Sequence, residues 1–230
     1  CAVGAPQAAT PPRTPEATRS SYENTLPAAE NTPSAEQTVE ELNVQMIPLA
    51  GRVSSAKAQF SGMTWFGDWL VLLPQYPDTF ESQGAGALYA LAKSDLLAFL
   101  DGKTTSPLEP RSILLDDQGL KQQIRGFEGY ECITFHQDAV YLSIEAQPRQ
   151  MLGYLVKGNV KTDPAGAPIS LRLDPASLIE VQPQAPLDNY SDEACLVYNE
   201  QVISLYEANG ARVNPAPQAH AFDLNLQPQG

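Results

Sequence analysis

Five carboxylates sit at spacings that would gather them: Glu131, Glu145, Asp192, Glu193 and Glu207. They bracket two stretches, ECITFHQDAVYLSIE (131–145) and EACLVYNEQVISLYE (193–207), each with an acid at both ends. Like charges at short range raise one another's pKa or attract a cation. A hard cation such as Ca²⁺, which takes about six to eight oxygen ligands, would suit these groups with the amides of Asn209 and Asn214. With Arg125 or Arg212 to hold phosphate, the same acids could bind or cleave a phosphoester. The plainer alternative is a solvated acidic rim whose glutamates accept bonds from loop N–H groups. No zinc spacing of Cys and His is present. Nucleophilic catalysis finds little support, because base and nucleophile must lie within about 3 Å. Of the two histidines, His136 abuts a turn far from the acids, and His220 opens a later strand where a surface or interface position is expected. No catalytic residue emerges.

The elements that would position these acids form a repeat. Laid without gaps, SGMTWFGDWLVLLPQ (61–75) aligns with both acidic stretches. The dipeptides Gly67-Asp68, Gln137-Asp138 and Asn199-Glu200 then coincide as turns, as do Met63/Ile133/Cys195, Leu70/Val140/Val202 and Leu72/Leu142/Ser204, the last with one polar exception. Further strands are expected at 85–93, 113–115, 151–157, 169–173 and 219–226, with a short helix at 96–100 capped by Ser94-Asp95. Val44–Leu49 reads as an edge strand, broken by Pro48. Short strands, about four to a unit, are the pattern of an all-β propeller blade. The third unit would lack its outer strand, because the sequence given stops soon after Leu226. In such a stack the first strands run side by side, so Ser61, Glu131 and Glu193 gather at one mouth. Counting back from each turn sets Gln75 opposite Phe60, Glu145 opposite Tyr130 and Glu207 opposite Asp192.

The organisation is a tether at 1–41 and a partial propeller at 42–230, with repeats starting near 61, 131 and 193. The tether is rich in Ala, Pro, Thr, Ser and Glu and cannot bury enough apolar surface to order itself. The net charge of −13 argues against nucleic acid as a partner. No apolar run reaches the roughly 18 residues of a membrane span. Cys132 and Cys195 point to opposite faces of their own units, so they could meet across a unit interface as a disulfide; the alternative is two buried thiols.

Two resemblances follow. Cys1, followed by Ala2, Val3, Gly4 and Ala5, resembles the start of a mature bacterial lipoprotein, which implies a lipid on Cys1, a membrane partner and an extracytoplasmic address. The lines SGMTWFGDWLVLLPQYP, GFEGYECITF and SDEACLVYNEQVISLYEANG resemble bacterial propeller domains of the "esterase-like activity of phytase" type, over about Phe60 to Leu226. That resemblance implies a six-bladed ring, of which three blades are present, and implies chemistry only weakly. The expectation is a binding or scaffolding module with an unknown protein or small-molecule ligand, and a Ca²⁺-dependent phosphoesterase as the alternative.

Overall fold

A computed structural model describes residues 44–188 and 190–229. Cys1 and the 1–41 tether lie outside the described residues. The fold is mostly β, built of hairpins and meanders; the strands of the second meander are buried on both faces, whereas the first strands of the first and third meanders each leave one face exposed.

The first meander comprises β1 (Phe60–Phe66), β2 (Trp69–Pro74), β3 (Ala87–Ala92) and β4 (Arg111–Asp116), with helix α1 (Lys93–Leu100) between the last two and the short α2 (Leu120–Gln123) after them. The second comprises β5 (Phe127–His136), β6 (Ala139–Ala146), β7 (Leu152–Thr162) and β8 (Pro168–Leu173), with the short β9 (Ile179–Val181) added to β7. The third is β10 (Asp192–Tyr198), β11 (Gln201–Tyr206), β12 (Ala219–Asp223) and β13 (Pro228–Gln229). All three predicted two-residue turns close their hairpins. Gly67, Gln137 and Asn199 each take a positive φ at the first turn position, a conformation only the glycine adopts without steric cost.

Strand β4 pairs in parallel with β8, from Leu114↔Ser170 to Asp116↔Arg172, which makes the first two meanders one sheet. At its other end, Tyr130 N–H donates to Gln75 O (3.0 Å) and Ser61 Oγ donates to Tyr130 O (2.5 Å), so β1 and β5 nearly close an eight-stranded, barrel-like sheet. Its interior holds Leu73, Leu88, Ile113, Leu115, Leu142, Ile144 and Leu171, all fully buried. The third meander packs on the opposite face of the second, around Tyr141, Leu155, Val202 and Phe222. Strand β6 serves both cores. Val140, Leu142 and Ile144 face the barrel interior, and Tyr141 faces the third meander, where its hydroxyl donates to Leu224 O (2.9 Å).

Several expectations need correction. Val44–Leu49 is not a strand; only Leu49 bridges to Leu108, because Pro48 has no N–H to extend the pairing. Helix α1 starts at Lys93, and its N-cap is Ala92, without a side-chain cap from Ser94 or Asp95. The third meander does have an outer strand, the two-residue β13. The mouth register is also shifted. Phe60 pairs with Pro74, Glu145 with Gly129 and Asp192 with Tyr206, because each first strand carries a bulge. The extra residues are Ser61 in β1 and Glu193 in β10, and in β5 Glu131 and Cys132 together oppose Ser143. Gap-free counting from the turns could not detect an inserted residue.

Candidate functional site

The bulges fall at the same repeat position in all three hairpins, and that position carries the chemistry. A bulge re-aims one side chain out of the pleat. In β5 it aims Glu131 at the first meander, where it accepts from Gln75 Nε2 at 3.0 Å. Ser143 Oγ caps the bulge by accepting from Cys132 N–H at 2.9 Å. In β10 the bulge aims Glu193 at the second meander, toward Glu145 and Glu207. Carboxylate oxygens of Glu145, Glu193 and Glu207 all lie within 4.8 Å of one another.

The two interfaces use equivalent positions. Gln75, Glu145 and Glu207 share one repeat position, and Ser61, Glu131 and Glu193 share another. Between the first and second meanders the pair is an amide and a carboxylate, Gln75 with Glu131. Between the second and third the corresponding pair is two carboxylates, Glu145 with Glu193, joined by Glu207. The cysteines repeat the logic. Cys132 and Cys195 form a disulfide with Cα atoms 5.8 Å apart, and Gly62 meets Ile133 at the equivalent place, where a Cβ on Gly62 would lie 3.3 Å from Ile133 Cγ2.

Electrostatics follow burial. Glu131 is pushed up to about 7, first by loss of solvent and then by the charge of Glu145. Glu193 is pushed up to about 7 by burial and by Glu207. Burial also raises Glu145, with Glu193 and Glu128 adding to the rise, and it raises Glu207, with Glu145 adding. Ser191 faces Glu145 and opposes that rise, yet its hydroxyl reaches no partner in good hydrogen-bond geometry. Glu145 Oε1 and Glu207 Oε1 are likewise buried without a hydrogen-bond partner among the described residues. Buried polar atoms without partners are uncommon enough in folded proteins to demand a reason.

Four of the five predicted acids therefore meet, three of them closely. Asp192 turns away, accepting from Ser204 Oγ at 2.7 Å and lying 3.3 Å from His220 Nδ1. Serine and histidine both address the aspartate and not each other, so this is no nucleophile–base pair. Ser204 is the polar exception in the repeat, and that exception marks the network. Arg125 and Arg212 are exposed, and neither is among the hydrogen-bond or ion-pair partners of the cluster in the described residues. Asn214 is buried and donates to Ala208 O and Gln184 Oε1, away from the acids. Gln75, Ser191 and Glu128 were missed by the sequence reading. Gln75 was detectable as the repeat equivalent of Glu145 and Glu207, whereas the other two become neighbours only through the tertiary packing. No protein-family model, curated protein or solved structure matches the chain, so the reading of this site rests on its own geometry.

Proposed function

We propose that the three meanders are blades of a propeller-type stack, part of a six-bladed ring, that serves as a binding or scaffolding module. In this reading a lipid on Cys1 holds it outside the cytoplasm, with residues 1–41 as the tether. The observation that supports it best is the recurrence of one positional pairing at two interfaces: Gly62 with Ile133, then Cys132 with Cys195. Such recurrence is what repeated application of one rotation produces. The parallel pairing of β4 with β8 departs from separate blades and draws the first two together.

Two experiments test the parts separately. For the stack, a Gly62→Cys, Ile133→Cys double variant should form a second disulfide, because these positions mirror the natural one. Two free thiols in the oxidised, unfolded variant would argue against equivalent interfaces. For the function, the intact protein should fractionate with membranes, Cys1→Ala should release it, and neither should turn over a generic phosphomonoester. Turnover abolished by Glu131→Gln and by Glu207→Gln would replace the module with a phosphoesterase of the phytase-like kind.

A further inference from the structure

We propose that Glu145, Glu193 and Glu207, together with the Ser191 hydroxyl, form a site for one Ca²⁺-sized cation that ties the second meander to the third. The argument rests on the geometry of this interface and stands apart from the lipid anchor and ring closure. Two oxygens on opposite sides of Ca²⁺ lie about 4.6–5.2 Å apart, given ligand distances of about 2.3–2.6 Å. The carboxylate oxygens here, all within 4.8 Å of one another, are close enough to surround one such ion. Mg²⁺ demands near-ideal octahedral geometry and dehydrates reluctantly, so a site built mostly of protein oxygens favours the larger ion.

Acidic clusters are common without ions, but three further features distinguish this one. Ser191 supplies one, because it is not an acid, is 3% exposed, lies close enough to Glu145 to oppose its pKa rise, and makes no well-formed hydrogen bond among the described residues. Glu145 Oε1 and Glu207 Oε1 point the same way, since each is a buried acceptor with no hydrogen-bond partner among the described residues. The internal comparison supplies a third. At the equivalent interface Gln75 gives Glu131 an N–H donor. Here the same position is Glu145, which has no proton to offer when ionised, and no Lys or Arg pairs with the cluster among the described residues. Three glutamate oxygens and one hydroxyl would provide four ligands, leaving room for water. The rival occupant is a proton, shared between Glu193 and Glu207.

Terbium(III), a luminescent substitute for Ca²⁺, distinguishes these occupants on the full chain after dialysis against EDTA. Tyr206, the last residue of β11 and the chain neighbour of Glu207, supplies a phenol to sensitise the ion. One Tb³⁺ per chain is expected to light up and to be displaced by Ca²⁺ at least tenfold more readily than by Mg²⁺. Glu145→Gln recreates the amide–carboxylate pair of the first interface, so it should fold and lose at least tenfold in affinity. Glu207→Gln, at a less buried position, should do the same, whereas Glu200→Gln, in the exposed turn at the other end of the β10–β11 hairpin, should change nothing. Absence of a saturable site, several weak sites swept off equally by salt, or unchanged affinity in both cluster variants would overturn the proposal.

Discussion

At the scale of single residues, burial decides what each acid does. A carboxyl whose folded pKa lies above its unfolded value binds more protons in the folded state. Stability therefore falls as pH rises through the interval between the two values. For Glu131 the interval runs from 4.5 to about 7, and Glu145, Glu193 and Glu207 shift in the same direction. With divalent ions chelated, the melting temperature should be higher at pH 5 than at pH 8. Glu131→Gln should shrink that difference, and a pH-independent melt would contradict the assigned burial. Asp192 is a different case. It is 3% exposed, and among the described residues the side chains bonded to it are Ser204 and His220. Ser204→Ala should cost about 1–3 kcal/mol in urea unfolding, because it removes a donor from a buried carboxyl group.

At the scale of elements, the first strands hold the molecule together. The disulfide joins β5 to β10 across 63 residues of sequence. Loop-closure entropy for that length corresponds to about 4 kcal/mol of stabilisation. Denaturation with and without reductant should differ by that order, and a Cys132→Ser, Cys195→Ser variant should match the reduced protein. An unchanged midpoint would mean that the third meander docks without help from the bond. Strand β6 is the other critical element because it lines two cores. Leu142→Ala should destabilise by about 2–5 kcal/mol through the cavity it leaves, as Leu142 is fully buried in the barrel interior.

At the scale of the whole molecule, two sheet faces lack a neighbour among the described residues. Met63 (66% exposed) and Trp65 (48%) project from β1, while Leu196 (40%) and Tyr198 (61%) project from β10. Each lies where the repeat operation would place another meander. In the proposed propeller, three blades would leave both faces open, since closure takes about four or more, and exposed apolar faces of this kind favour association. The net charge of −13 opposes it, and salt screens that charge. Sedimentation velocity on the 230-residue chain should therefore show association that grows with concentration and ionic strength. Met63→Glu with Leu196→Glu should suppress it. A single monomeric species under all conditions would contradict this reading of the two faces.

The period of the repeat was legible in the residues themselves. Turn dipeptides and alternating apolar positions fixed the three hairpins, because strand pairing around a two-residue turn is a local matter. The same pattern placed Glu131, Glu145, Glu193 and Glu207 at one end and set Cys132 and Cys195 on facing surfaces. Tertiary structure decided the rest. Bulges at Ser61, Glu131 and Glu193 leave no mark in composition, yet each shifts the register by one residue and re-aims a side chain. The parallel β4–β8 pairing joins strands separated by a whole meander, and no local signal encodes a contact of that range. Asp192 shows the limit most clearly. Its neighbour Glu193 joins the cluster, but the bulge turns Asp192 toward Ser204 and His220, because only packing determines which side of a kinked strand is buried.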